Sequence, residues 1–402
     1  MVKKTSGLAA VVGCSVAVFW PGAFIFGFPG VMASHWQETF QVGKGAIGNV
    51  LFFVLVSLGV FMFLVGRLQE KIGIHNMITL GALLCAINVL LLPFASNIYA
   101  VYLWAFIMGT ASCFVYIPSL TTVQRWFPGH MGLVSGFVNL VFGISGAFMA
   151  PLFTYMLTHL GYEPMTMLLG FLSLITGTIA SRLTAPPATE TIADKASTSH
   201  NSGMMEARSL TARQSVSTKS FWFLSATWAL QGAAGIAMVT LSTSYGLSKG
   251  FSLEKAVMVL TAFNLASGIS RLASGYISDM HGRNITMSIT FLAAGASYLI
   301  MGISHDLALI AVLAGFIGFS FGTMVAVSAP LVVDCFGMKH FGSVFGLVFA
   351  SYGFLAGPLG PSLAGYLLDS TNGNYSIVFA YLGVFCFVSA MLVRYVVPPE
   401  GV

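Results

Sequence analysis

Twelve apolar segments, each long enough to cross a bilayer, occupy most of this sequence. A helix needs roughly 20 apolar residues to span the hydrocarbon core. With 57% hydrophobic and only 7% charged residues, the chain carries more apolar surface than a soluble core can bury. The segments cover residues 8–33, 46–66, 77–94, 98–116, 133–155, 165–183, 221–245, 256–277, 285–303, 307–333, 344–368 and 377–397. We therefore predict an all-α membrane protein with twelve transmembrane helices.

A polar stretch divides the twelve segments into two sets of six. Residues 185–219 contain Pro186 and Pro187, many Ser and Thr, and several basic residues, a composition typical of a solvated linker. We predict an N-terminal six-helix bundle of residues 1–184, a cytoplasmic linker of 185–219 and a C-terminal bundle of 220–402.

The two sets of six are copies of one unit. GRLQEKIG at 66–73 matches GYISDMHG at 275–282, a shift of 209 residues. A second block matches at a shift of 210, where Gly132, Gly136, Gly143 and Pro151 correspond to Gly342, Gly346, Gly353 and Pro361. A unit duplicated in the same orientation predicts two bundles related by a pseudo-two-fold axis along the membrane normal.

The basic residues predict the orientation of the chain. If both termini face the cytoplasm, the outer loops receive only Lys44, Lys249 and Lys255, and the inner loops receive every other Lys and Arg except Arg271. This asymmetry favours cytoplasmic termini in a plasma (inner) membrane. The net charge of +5 does not predict nucleic-acid binding, because these residues are spread over membrane-protein loops.

Arg271 lies near the middle of an apolar, Gly- and Ser-rich segment, AFNLASGISRLASGYISDMHGRN at 262–284. An arginine at mid-membrane costs roughly 2.5 to 3.5 kcal/mol on insertion scales, so a function is the expected reason for its presence. No acidic residue lies near it on its helix. A buried guanidinium without such a neighbour is suited to binding an anion that arrives from outside, most naturally a carboxylate.

The repeated loop sequences resemble the motif that follows the second and eighth helices of major facilitator transporters. In that superfamily the acidic position, Glu70 and Asp279 here, stabilises one access state by pairing with basic partners at the inner helix ends. The resemblance therefore implies a major facilitator fold and alternating access. With the acidic pair, we assign to conformational gating the residues Gly66, Gly73, Gly275, Gly282 and Arg125.

Two further stretches resemble the oxalate/formate antiporters and the related monocarboxylate transporters. They are RWFPGHMGLVSG at 125–136 and GPLGPSLAGYLLDSTNGNYS at 357–376. In that group an arginine of the eighth helix binds the substrate carboxylate, and Arg271 occupies the matching place. The oxalate exchangers carry a lysine in the eleventh helix, whereas 344–368 contains no Lys, Arg or His. Because one cation complements a monoanion, we favour lactate, pyruvate, formate or a similar small acid.

The coupling ion is left open by the residues. The animal monocarboxylate carriers have a lysine on the first helix and an acidic residue one turn before the arginine. Here the first helix has no lysine, and Ser267 stands one turn before Arg271. None of the 12 acidic residues lies near a segment's middle, and the 8 His lie at segment ends or in loops. We favour proton coupling, with anion exchange of the oxalate/formate type as the alternative.

Helical spacing predicts which other residues line the site. Asn264, Ser267 and Ser274 lie near the Arg271 face of their helix. Polar or aromatic residues near the middle of the other presumed pathway helices are Phe24, Phe28, Tyr116, Asn139, Phe319, Ser351 and Tyr352. Ordinary helix packing is the alternative for each. For Arg271 the alternative is a structural role, in which its side chain extends toward the cytoplasmic interface or pairs with a carbonyl. Tyr116 and Tyr352 stand out, because a buried phenol needs a partner and a carboxylate supplies one.

Other functional classes are less compatible with the sequence. An enzyme is disfavoured because there is no HExxH motif and no intramembrane carboxylate pair, and an ATP-driven pump is disfavoured because there is no nucleotide-binding loop. A channel or a non-transporting sensor on the same fold stays open. We expect a monomer with no cofactor and no metal.

Overall fold

The computed structural model describes residues 7–185 and 210–399 and is built from α-helices. Within these ranges, 12 helices are long and apolar enough to cross a membrane, which confirms the predicted number. We number them α1 to α12, and they run Gly7–Phe40, Lys44–Ile72, Ile74–Leu91, Ile98–Trp126, Met131–Leu160, Tyr162–Arg182, Lys219–Ser248, Leu253–His281, Arg283–Ile303, Leu307–Phe336, Phe341–Ser370 and Tyr375–Leu392. Most of the predicted linker, residues 186–209, lies outside the described residues.

Both ends of the described chain lie at the same end of the bundle, and a Cβ at Gly7 would lie 2.9 Å from the ring of Phe127, just past the end of α4. The Ser220 hydroxyl, at the start of α7, donates to the Val397 carbonyl at 2.6 Å, and the Trp126 indole, at the end of α4, donates to the Ala185 carbonyl at 3.0 Å. We call this the termini end. The opposite end, which carries the start of α2 and the end of α11, is called the distal end.

Helix α1 is broken at Gly27. One helical segment ends at Phe26, and the next begins at Phe28 with Pro29 in its first turn, where its missing N–H costs nothing. The Phe26 carbonyl accepts a hydrogen bond of 2.9 Å from Asn264 Nδ2 of α8. A backbone group freed by a break inside a membrane needs such a partner. The break in α1 therefore obtains its hydrogen-bond donor from the other bundle.

The duplicated loops form the same turn in both copies. Gly73 separates α2 from α3 with φ +88°, and Gly282 separates α8 from α9 with φ +90°. Residues that carry a side chain rarely adopt this backbone conformation, so the turn requires glycine. The matched sequence blocks therefore fold alike, as the duplication predicts.

Among the described residues, the hydrogen bonds between the two halves fall into two groups. One group lies at the distal end, around Lys44 and Asp369. The other lies deeper, where Asn264 and Arg271 of α8 donate to backbone carbonyls of the first half. At the termini end, a Cβ built at Gly132 of α5 or at its repeat partner Gly342 of α11 would have no atom within 4 Å. At these two positions the start of each helix therefore has open space beside it.

Candidate functional site

A cavity of about 60 Å³, partly open to solvent, lies between the two halves. Its walls come from α1, α2, α4 and α5 and from their repeat counterparts α7, α8, α10 and α11. The lining residues are Ile25, Phe26, Leu55, Leu58, Met62, Ser112, Cys113, Tyr116, Phe142, Trp228, Arg271, Phe321, Val325, Phe349 and Tyr352. Most are apolar or aromatic, and Arg271 is the charged residue among them.

The guanidinium of Arg271 is buried and incompletely paired. Only 5% of the surface of Arg271 is exposed to solvent. Nη1 donates to the Asn139 carbonyl at 3.2 Å, and Nε has no hydrogen-bond partner. Within the described ranges no carboxylate pairs with it. A buried cation in this condition is poised to accept an anionic partner.

Two aromatic rings flank the guanidinium. The Arg271 Cζ atom lies over the Phe26 ring at 5.7 Å from its centroid and over the Phe142 ring at 5.6 Å. The negative faces of these rings attract the cation and offset part of its burial. Phe26, Phe142 and Asn139 belong to the first half, whereas Arg271 belongs to the second. The guanidinium therefore contacts the opposite half of the protein.

Gly143 makes room for this arrangement. A Cβ at that position would lie 2.9 Å from Nε and 3.0 Å from Cζ of Arg271, and 3.0 Å from the Cα of Gly268. Two helices of different halves, α5 and α8, cross here at backbone contact. Any side chain at 143 would displace either the guanidinium or the helix crossing.

Two tyrosines complete the polar part of the cavity. The Tyr116 hydroxyl donates a short hydrogen bond to the Asn139 side-chain oxygen, so Asn139 contacts Tyr116 through its side chain and Arg271 through its backbone. The Tyr352 hydroxyl makes no hydrogen bond within the described part of the chain, although the residue is only 5% exposed. Of the sequence-predicted site residues, Arg271, Tyr116 and Tyr352 line the cavity.

The remaining predicted binding residues lie outside the lining. Asn264 is occupied by the Phe26 carbonyl. The Ser267 carbonyl packs where Gly322 of α10 approaches α8. Ser274 donates to the carbonyl of Ser270 on its own helix. Phe24 stacks on Phe153, and Phe28 meets the same ring edge-to-face, so both pack within the first half. The other three, Asn139, Phe319 and Ser351, are half-buried.

The predicted gating residues are distributed over the termini end. Asp279 pairs with Arg283 at 3.1 Å, and Arg283 also donates to Asp334 of α10, so three helices of the second half are tied together there. Arg125 is exposed at the end of α4, and Gly275 has open space beside it. The surroundings of Gly66 and Glu70 lie outside what the structure describes.

Several lining residues escaped the sequence interpretation. Phe26, Phe142, Trp228, Phe321 and Phe349 are among 34 Phe and 6 Trp in the chain, and composition gives no reason to select them. One signal was available, since Phe142 stands beside Gly143, a residue already marked by the repeat.

Comparison with known proteins identifies the family. The sequence model of the Major Facilitator Superfamily matches residues 11–260 and 255–402. The chain belongs to this superfamily. It is therefore a membrane transporter and not an enzyme. The chain is 24% identical over 393 residues to monocarboxylate transporter 2 of Meriones unguiculatus, and the match covers 93% of this chain and 80% of the relative.

A second relative of this major facilitator chain is the oxalate:formate antiporter of Oxalobacter formigenes, 25% identical over 351 residues, with 84% of this chain and 78% of the relative covered. Among solved structures, a bacterial homolog of the human lysosomal transporter Spinster, in an inward-facing and unoccupied conformation, matches with a TM-score of 0.69 at 13% identity. That match covers 97% of this chain and 94% of the other and shows the shared fold.

Proposed function

We propose that this protein is a secondary transporter of small monocarboxylates and that the substrate carboxylate pairs with Arg271. The observation that carries the proposal is the buried guanidinium in the cavity between the halves, with an unpaired Nε and no acidic partner among the described residues. A guanidinium presents parallel N–H groups that match the two oxygens of a carboxylate. Such a pair is strong in a water-poor cavity.

The rest of the cavity favours a monoanion with a small apolar tail. Walls such as Leu55, Leu58 and Val325 offer no charge to a second carboxylate, which would lose its hydration without a partner. Tyr116 and Tyr352 provide hydroxyl groups for the carboxylate or for a 2-hydroxy or 2-oxo oxygen. The names of the relatives, a monocarboxylate transporter and an oxalate:formate antiporter, support small carboxylates as the substrate class.

We assign the cycle to alternating access, with both termini in the cytoplasm of the plasma (inner) membrane. In that orientation the distal end faces outward, and the contacts between halves around Lys44 and Asp369 correspond to an inward-facing state. A carboxylate is a stronger acceptor than the Asn139 carbonyl, so a bound substrate competes for the Arg271 N–H that now crosses between halves. Neutralising the guanidinium also lowers the cost of enclosing it while the halves rock.

The test is uptake into proteoliposomes. Purified protein is reconstituted, and labelled C1 to C4 mono- and dicarboxylates are offered with and without an imposed pH gradient. Arg271→Ala is expected to lower monocarboxylate uptake by about hundredfold or more. Arg271→Lys is expected to keep part of it, because the charge remains and the two-pronged geometry is lost. Full uptake by folded Arg271→Ala protein would refute the proposal.

The same vesicles separate the transport modes. Proton coupling predicts uptake that an inwardly directed proton gradient stimulates, and anion exchange predicts uptake that requires a loaded internal anion. Counterflow of labelled substrate distinguishes both from a channel, which shows none. A sensor on this fold shows no flux in any condition.

A further inference from the structure

Helix α2 begins at the distal end without a cap of its own. Its N-cap residue is Gly43, which has no side chain to accept a hydrogen bond. The first N–H groups of a helix have no acceptor within the helix and need an external one. At this position the acceptor comes from the other half of the protein.

Asp369, near the end of α11, supplies that acceptor. Its Oδ1 accepts from the backbone N–H of Lys44 at 2.9 Å, and its Oδ2 accepts from the backbone N–H of Gly45 at 2.8 Å. A carboxylate at a helix N-terminus is further favoured by the helix dipole. One side chain thus joins the halves through two charge-assisted hydrogen bonds.

Neighbouring side chains extend the contact. Lys44 Nζ donates to the Tyr375 hydroxyl at 3.3 Å and lies over the ring of that tyrosine at 4.9 Å. Asn49 Nδ2 donates to the Tyr366 hydroxyl at 3.0 Å. Each of these bonds also joins the first half to the second.

The backbones of α2 and α11 touch at the same place. A Cβ at Gly48 would lie 2.0 Å from the Pro361 carbonyl oxygen, and a Cβ at Gly365 would lie 2.3 Å from the Lys44 carbonyl oxygen. Contact this close brings the start of α2 within reach of Asp369. A small separation of the two helices therefore breaks both hydrogen bonds together.

We infer that Asp369 is the latch of a gate at the distal end, holding the halves closed there by capping α2 across the interface. The closed state is stabilised by every bond described above, and the opposite access state must release them. None of these latch residues lines the substrate cavity, so the inference stands apart from the choice of substrate.

The chain provides a matched control in Asp306. Its Oδ2 accepts from the backbone N–H of Leu309 at 2.9 Å and caps α10 at the same end of the bundle. The chemistry is the same as that of Asp369, but donor and acceptor belong to one half. Removing it weakens a helix end and leaves the interface intact.

The experiment measures the width of the distal mouth in the full-length protein in lipid nanodiscs. Spin labels at Thr39→Cys and Ser370→Cys, two exposed positions on opposite halves, report the separation by pulsed electron resonance. The native cysteines are buried, and protein with those alone gives the labelling background. Asp369→Ala is expected to raise the ratio of long to short separations by about tenfold or more, and Asp306→Ala to leave it unchanged.

Two milder variants keep the test decisive if Asp369→Ala fails to fold. Asp369→Asn retains the shape and loses the charge, and Tyr366→Phe retains the ring and loses the acceptor for Asn49. Both are expected to shift the distances in the same direction by smaller factors. If the folded Asp369 variants show the same distance distributions as the wild-type protein, the proposed latch is wrong.

Discussion

Met62 and Arg271 occupy equivalent positions in the two copies of the repeat and line the same cavity. The shift of 209 residues that aligns the duplicated loops places Met62 of α2 where the second half has the arginine of α8. The duplicated unit thus presents an apolar side chain from one half and a cation from the other. The cavity is symmetric in its helices and asymmetric in its charge.

A second cation at Met62 is expected to change the substrate class. Met62→Lys places a positive charge at the symmetry-related position, and the second carboxylate of a C4 dicarboxylate then gains a partner. Dicarboxylate uptake should rise relative to monocarboxylate uptake in proteoliposomes. Met62→Gln, of similar length and neutral, should not produce the shift. Unchanged selectivity in folded Met62→Lys would show that the number of cations does not set the preference.

Enlarging Gly143 is expected to damage the site without unfolding the protein. The added methyl group of Gly143→Ala would stand 2.9 Å from Nε of Arg271 and 3.0 Å from the Cα of Gly268, so either the guanidinium or the crossing of α5 and α8 must shift. We expect a KM about tenfold higher for the transported acid, from loss of the prepared geometry. The control is Gly132→Ala on the same helix, where the methyl group meets no atom within 4 Å. Equal KM values for the two variants would contradict this account.

Removal of the ring at Phe142 tests the aromatic support of the guanidinium. Phe142→Leu keeps an apolar wall and loses an attraction of about 0.5 to 2 kcal/mol, so substrate affinity should fall by up to about thirtyfold. Phe142→Tyr should retain most of the affinity because its ring remains. Phe349→Leu removes another cavity ring, one without a ring contact to Arg271 among the described residues, and should have little effect. A similar loss in both Leu variants would point to cavity shape instead.

Asn264 is expected to matter for stability. Asn264→Ala leaves the Phe26 carbonyl without its partner at the break in α1, at a cost of about 1 to 3 kcal/mol. The melting temperature in detergent should fall by several degrees. Asn76→Ala is the matched control, because Asn76 also donates to a backbone carbonyl, that of Ile72, but at an exposed position. Equal melting temperatures would mean that the break needs no acceptor from α8.

The fold was predictable because its signals are repeated many times over. Segment length, composition and the matched loops 66–73 and 275–282 each indicate two bundles of six helices, and the superfamily match agrees. Segment ends were less predictable: α4 continues beyond the predicted end at 116 to Trp126. Its polar residues there do not end the helix, because Ser119 and Thr122 are buried and the Thr122 hydroxyl donates to a carbonyl of its own helix.

The candidate site was predictable where a polar group stands out in an apolar segment, as at Arg271, Tyr116 and Tyr352. Arg271 is conspicuous because a mid-membrane cation is costly. Asn264 looked equally suited to a substrate, and its commitment to Phe26 depends on how two distant helices cross. The latch at Asp369 was also missed, since an acidic residue just past the predicted end of an apolar segment is ordinary and its partners lie more than 300 positions away in the chain.

The first turn of α2 has consequences for hydration. The N–H groups of Lys44 and Gly45 obtain their acceptor from the opposite bundle, so the first bundle alone does not supply it. Whenever the distal mouth opens, water must take over those donors and the released carboxylate at once. Opening at the distal end therefore hydrates these groups. Solutes that are excluded from protein surfaces should favour the conformation in which the distal end is closed.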